Sequence, residues 1–243
     1  MSEGQPTRPA NVLNIVAINQ GRNPLTMDMP KSVPLTAARI SDCIAEGHLV
    51  IDGRSAGAYG EGHIPNSFNI QLRSSEFEQR VGWVAPLDLP VVLVLEEDVD
   101  AETALHKMAF LGLDQRVSGH LHGGIRSWVS AGYEVESLTQ ASVQEVSTML
   151  LEDPSLQVLD VRDPSEWEAG HIGGAHHMSY KLIRDQIEQL DVSSDAPLAV
   201  VCAGGGRSST ACSVLLQHGF KNLINTAGGM TAWNAAKLPV TKD

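Results

Sequence analysis

Long apolar runs are missing from this sequence. A helix that crosses a membrane needs roughly 20 predominantly apolar residues, and no stretch comes near that, so no membrane partner is expected. Basic clusters are missing as well: 17 Lys and Arg stand against 29 Asp and Glu, giving a formal net charge of -12. Binding to nucleic acid or to an anionic surface is led by grouped Lys and Arg, so nucleic acid is not an expected partner either. Cysteine is scarce and odd in number. Cys43, Cys202 and Cys212 lie far apart, which yields neither a disulfide framework nor a zinc motif, and a cytoplasmic setting is expected. The opening Met1–Ala10 is polar with two prolines, so neither an anchor nor a secretory signal is expected.

What is present is ordinary globular usage, 42% hydrophobic and 19% charged over 243 residues. That is enough chain for two average domains. One pattern occurs twice. Leu49-Val50-Ile51-Asp52-Gly53-Arg54 is followed after seven residues by Gly62-His63-Ile64, and Val158-Leu159-Asp160-Val161-Arg162 by Gly170-His171-Ile172 after the same seven. Further on, Gly123-Gly124-Ile125-Arg126-Ser127-Trp128 answers Gly228-Gly229-Met230-Thr231-Ala232-Trp233. A period near one hundred residues suits duplicated domains, since solenoid repeats run at about 20–50. The boundaries expected are an N-terminal extension over 1–32 and homologous units over 33–136 and 139–241.

Within the second unit the punctuation alternates strand and helix. Ser142-Val143-Gln144-Glu145 has capping-box spacing and opens a helix to about Glu152, which Asp153-Pro154 ends. Leu156–Val161 reads as a strand. The run Leu198–Val201 does not alternate, as expected of a central strand covered on both faces, and a helix is predicted from Arg207 to His218 with Gly219 as its stop. This order implies an α/β fold, a mainly parallel sheet with helices on both faces in each unit. Ligand sites in such sheets lie at the carboxyl ends of the strands, and the residue there is Cys202.

From Cys202 the chain reads Ala203-Gly204-Gly205-Gly206-Arg207-Ser208. Glycines let successive backbone N–H groups turn inward as an anion cradle, and the following helix adds its own free N–H groups. Negative charge on the sulfur would be stabilised there, with Arg207 adding a fixed positive charge. A buried core cysteine before an ordinary turn is the bland alternative, yet three glycines and an Arg are poor packing material. Cys212 and Cys43 fall on apolar faces of predicted helices and read as core. Asp160 and Arg162 read as a supporting ion pair and His171 as a hydrogen-bonded loop residue. His176-His177 lacks a third ligand at useful spacing, and no cofactor or metal is implied.

Asp160-Val161-Arg162, Gly170-His171-Ile172-Gly173-Gly174-Ala175, the Cys202 to Arg207 loop and Gly228 to Trp233 together resemble the signatures of a rhodanese domain, in order. The resemblance implies that Cys202 takes a sulfane sulfur from thiosulfate or a persulfide and passes it to cyanide or a thiol such as glutathione. It also implies that Ala203 to Ser208 bind the donor anion. Related Cys-dependent phosphatases place five residues between Cys and Arg, whereas four stand here; phosphatase activity and a non-catalytic interaction module remain the alternatives. Tyr180, Lys181 and Arg184 are candidates for the rim of the site by position.

In the first unit Leu95 aligns with Cys202, and Glu96-Glu97-Asp98-Val99-Asp100 replaces the glycines and Arg207. No turnover is expected there, since four carboxylates repel an anion; packing, or recruitment of a protein partner, is the role left to it. Asn11 to Pro30, Val81-Gly82-Trp83 and the acidic loop resemble the rhodanese portion of persulfide dioxygenase–rhodanese fusions, whose metal-binding half has no counterpart motif in this sequence.

Overall fold

The computed structural model describes residues 11–22 and 31–242; the rest of the expected N-terminal extension, 1–10 and 23–30, lies outside them. Cα proximity divides the chain into two compact units, Met1–Gly53 with Leu72–Glu134, and Arg54–Gln71 with Val135–Asp243. After the helix α1 (Val12–Asn19), the first repeat runs β1 (Pro34–Leu35), α2 (Ala37–Ala45), β2 (Leu49–Asp52), α3 (Ala56–Glu61), β3 (Phe68–Asn69), α4 (Phe77–Val84), β4 (Val91–Val94), α5 (Asp100–Ala109), β5 (Val117–Leu121) and α6 (Gly124–Ser130). The second runs β6 (Thr139–Ser142), α7 (Val143–Glu152), β7 (Gln157–Asp160), α8 (Pro164–Glu168), β8 (His176–His177), α9 (Ile183–Gln186), β9 (Leu198–Val201), α10 (Gly206–Gln217), β10 (Leu223–Ala227) and α11 (Gly229–Ala235). The strand orders are β1-β5-β4-β2-β3 and β6-β10-β9-β7-β8, the same permutation twice. Both sheets are parallel and flanked by helices, as expected from the alternating pattern.

The local signals have visible causes. Ser142 and Glu145 form the reciprocal capping box of α7, satisfying two N–H groups that a helix start leaves free. All four residues of β9 are buried, which explains its unbroken apolar run. One side of the second sheet packs Val146, Leu156, Val158, Val201, Met230 and Trp233 into a core, and the Trp233 indole N–H donates to Pro239 O at 2.9 Å. Trp128 makes the same bond to Glu134 O at 2.8 Å, so the duplicated Gly-Gly…Trp pattern serves the same anchoring in both copies.

The other duplicated motif is scaffolding too. Arg162 donates to both carboxylate oxygens of Asp160 and to Gly170 O at 2.8 Å; Arg54 donates to Gly62 O, also at 2.8 Å. His171 stacks on Trp167 with ring centroids 3.4 Å apart, and His63 on Tyr59 at 3.7 Å. Each His pairs its backbone with a late strand residue, Thr241 or Glu136. These motifs therefore fix the turn after the second strand whether or not a cysteine follows.

α10 carries a buried polar face, Ser208, Ser209, Thr210 and Ser213. A buried hydroxyl without a partner is costly, and β3 supplies partners: Ser209 Oγ donates to Asn69 Oδ1 at 2.6 Å, Thr210 Oγ1 to Asn69 O at 2.7 Å, and Ser213 Oγ accepts from Asn69 N at 3.0 Å. Asn69→Ala strands the Ser209 hydroxyl and the Arg54 carbonyl that Asn69 Nδ2 reaches. It is expected to cost about 2–4 kcal/mol, read as a lowered urea midpoint at unchanged m-value.

Candidate active site

Cys202 directly follows the last residue of β9, Val201, and its side chain is buried. The chain then turns through Ala203 and Gly204 to Gly205, whose φ of 93° is left-handed, a conformation glycine adopts without strain. That turn aims the Gly205 N–H at Cys202 Sγ, 3.1 Å away, and starts α10 directly behind the sulfur. Ser208, one turn into the helix, brings Oγ to 3.4 Å from the sulfur and to 2.6 Å from Asn225 Oδ1. With a single proton to donate, the hydroxyl serves the shorter contact. Asn225 in turn donates to Gln140 Oε1 at 2.7 Å, which ties the sulfur's neighbours across β10 to β6. Gly204 is exposed, with open space around its Cα, so the outer face of the loop is clear.

The carbonyls of the loop are held from the other side. Met230 N donates to Cys202 O at 2.7 Å and Thr231 N to Ala203 O at 3.0 Å, using amides that the start of α11 leaves free. The approach is so close that a side-chain carbon on Gly229 would lie 2.2 Å from Cys202 O. With both carbonyls held by α11, the loop is fixed in the position from which the Gly205 amide meets the sulfur. The Gly228-Gly229 pair was legible as a motif, but its buttressing role was not.

Arg207, expected to add a fixed positive charge, carries that charge in an ion pair. Its guanidinium makes a bidentate pair with Glu166 of α8, at 2.6 Å and 2.7 Å. Burial opposes the charge on Arg207, but the hydrogen bonds and charge of Glu166 outweigh it and raise its pKa above the ordinary value. Glu166 is held below the usual carboxylate range, chiefly by its hydrogen bond from Arg207. Sequence reading missed Glu166, which lies 41 positions from its partner; the only local sign was an acidic residue at the start of a short helix. Because Glu166 is depressed, the pair's contribution to stability is complete above the ordinary carboxylate pKa of about 4.3 and is lost as pH falls through the folded value. Glu166→Gln should cost about 1–3 kcal/mol and flatten the acid limb of a stability-against-pH curve.

The other candidates separate clearly. Asp160 and Arg162 are a buried ion pair with every Asp160 oxygen occupied. His171 offers Nδ1 to Trp167 O at 3.1 Å, and His177 Nε2 meets Arg162 O at 2.9 Å. Among the described residues no third metal ligand gathers at His176 and His177. Of the three residues expected at the rim, Tyr180 is 1% exposed and lies in the core, while Lys181 pairs with Asp163 and Arg184 with Asp185. Their segment has short elements without clear periodicity, so facing was not legible. Cys212 is fully buried inside α10, and burial pushes its thiol pKa far up.

In the first unit Leu95 stands where Cys202 does, and a carbon on Gly124 would lie 3.0 Å from Leu95 O, so the buttress persists without the thiol. Asp98 stands in the place of Gly205. Its carboxylate accepts from Gly123 N at 2.9 Å and contacts His122 Nδ1 at 2.5 Å. A cavity of about 400 Å³ beside it is lined by Asp98, Glu102, His120 and His122 among others, surroundings opposed to an anion.

Residues 36–131 and 142–236 each match the family described as rhodanese-like domain. The thiosulfate sulfurtransferase GlpE of Pseudomonas aeruginosa is 36% identical over 85 residues, covering 35% of this chain and 76% of that protein. The same enzyme of Pseudomonas entomophila is 40% identical over 78 residues, 32% of this chain and 70% of that protein. Among solved structures, a rhodanese-related protein of Thermoplasma volcanium aligns with a TM-score of 0.39 at 28% identity, over 43% of this chain and 99% of that one. Matched in both of its repeats, the chain belongs to the rhodanese-like family and carries two such domains in tandem.

Proposed function

We propose that the protein is a sulfurtransferase whose second domain works through a Cys202 persulfide while the first is inactive. The observation that carries this reading is the position of Cys202 Sγ just past the end of a buried strand, 3.1 Å from the Gly205 amide that leads into α10. The family match and the relatives named thiosulfate sulfurtransferase support it. In the first half-reaction the Cys202 thiolate attacks the outer sulfur of thiosulfate; a new S–S bond forms, the old one breaks, and sulfite leaves with the electron pair. In the second, cyanide or a thiolate attacks the terminal sulfur, and Cys202 departs as thiolate. The Ala203 to Ser208 segment receives the charge of donor and persulfide, while Asp160 and Arg162 brace the loop.

With Arg207 neutralised by Glu166, backbone amides supply most of that stabilisation. Such a site suits a donor whose charge is modest or spread out, a low-molecular-weight persulfide as well as thiosulfate. The resemblance of the acidic loop and Val81-Gly82-Trp83 to the rhodanese portion of persulfide dioxygenase fusions favours glutathione persulfide. Among the described residues no helix is long and apolar enough to cross a membrane, and the three free thiols fit a reducing, cytoplasmic setting. The test is mass spectrometry after exposure to thiosulfate or glutathione persulfide: one added sulfur on Cys202, released by cyanide as thiocyanate. Folded protein that neither takes up sulfur nor makes thiocyanate would overturn the reading.

A further inference from the structure

We propose that Cys43, Glu46 and His48 form a zinc site on the first unit, remote in sequence from the Cys202 loop. One ligand atom from each lies within 4.8 Å of the other two. The local fold explains how residues at this spacing meet. Cys43 sits on the buried face of the last turn of α2, and Glu46 is the residue that closes the helix. Gly47 then turns left-handed, with φ of 90°, and the pair of bonds from Gly47 N to Ile44 O and from His48 N to Cys43 O ends the helix as a Schellman motif. That motif folds His48 back over the turn that carries Cys43.

The imidazole is arranged as a ligating histidine is. Its Nε2 meets Ser118 Oγ at 3.0 Å, the outer-shell bond that fixes ring and tautomer in metal sites. The remaining nitrogen, Nδ1, is buried and has no hydrogen-bond partner. A buried imidazole nitrogen without a partner is costly, and a metal ion would satisfy it. Thiolate, imidazole and carboxylate together select zinc among common divalent ions, with water as a fourth ligand. Zinc bond lengths imply ligand separations of roughly 3.3–3.6 Å. The exposed Glu46 can close the remaining distance.

One group competes. Arg39 holds both Glu46 oxygens, at 2.9 Å and 3.2 Å, and all of these atoms are exposed. An exposed pair of this kind is weak, so the metal displaces the guanidinium from the carboxylate, and the Cys43 thiol releases its proton to solvent as the sulfur–zinc bond forms. The spacing Cys-x-x-Glu-x-His matches no zinc motif, which is why the sequence alone suggests no metal here.

The probe is Co²⁺ titrated into the full chain, followed by competition with Zn²⁺. Wild type should bind one equivalent with a thiolate-to-cobalt charge-transfer band in the near ultraviolet, bleached by zinc. The band should survive Cys202→Ala and vanish in Cys43→Ala. Since Cys43 is buried, the exposed Glu46→Gln and the ring variant His48→Gln guard against misfolding; each should weaken binding at least tenfold, and Ser118→Ala by about tenfold. Arg39→Gln should tighten it about two- to fivefold, the weight of one exposed ion pair. No band in wild type, a band that persists in Cys43→Ala, or unchanged affinity in both Glu46→Gln and His48→Gln overturns the site.

Discussion

Cys202→Ser is expected to abolish sulfur transfer, by at least about a thousandfold, with little change in stability. The substitution keeps size and the contact with the Gly205 amide, 3.1 Å from the present sulfur, so the loop has no reason to rearrange. What disappears is the chemistry. A serine hydroxyl is not ionised at neutral pH, and among the described residues the groups that hydrogen-bond the sulfur are no base: the Gly205 amide and the Ser208 hydroxyl, the latter already engaged with Asn225 Oδ1 at 2.6 Å. An oxygen nucleophile also cannot hold sulfur as a persulfide. The measurement is twofold, thiocyanate formed from thiosulfate and cyanide, and sulfur retained on the intact protein. Retained transfer, or one sulfur still bound in Cys202→Ser, would move the chemistry elsewhere. Cys212 is poorly placed to take it over, being sealed within α10 and held as a thiol by burial.

How much of this was legible follows from the kind of signal involved. The duplicated motifs, the capping box at Ser142 and Glu145 and the buried strand before Cys202 are local: periodicity, turn residues and caps act within a few positions. The correspondence of Leu95 with Cys202 also came through, because the repeat supplied its own alignment and the Gly124 and Gly229 contacts follow it. Partners far apart in sequence did not. Glu166 for Arg207, Asn69 for the hydroxyls of α10, and α11 for the Cys202 and Ala203 carbonyls each join segments that no short pattern links. The burial of Ser208, Ser209, Thr210 and Ser213 becomes reasonable only once the chain folds β3 against α10, where Asn69 meets Ser209, Thr210 and Ser213. Tyr180 failed too, an amphipathic residue expected at a rim and found in the core.

Gly229→Ala is expected to bring down transfer by about a hundredfold, and the comparison with Gly124→Ala separates its causes. The backbone at Gly229 is left-handed, with φ of 52°, and a new carbon would stand 2.2 Å from Cys202 O and 2.7 Å from Ala203 O. Strain of that conformation alone costs about 1–3 kcal/mol for a residue other than glycine. The steric term is added to it, and it falls on backbone that cannot rotate aside as a side chain would. Relief requires α11 and the loop to separate, stretching the bonds from Met230 N and Thr231 N and tilting the amides away from the sulfur. A displacement near 1 Å in a positioned site is worth about a hundredfold in rate. Gly124 has the same left-handed backbone, φ of 60°, and would place its carbon 3.0 Å from Leu95 O, so Gly124→Ala should lose stability without losing turnover per folded molecule. Thermal melts paired with the thiocyanate assay decide between the explanations. If both variants lower turnover equally once scaled to folded protein, the loss is general loosening; if only Gly229→Ala does, α11 is the part that holds the Cys202 loop in register with its substrate.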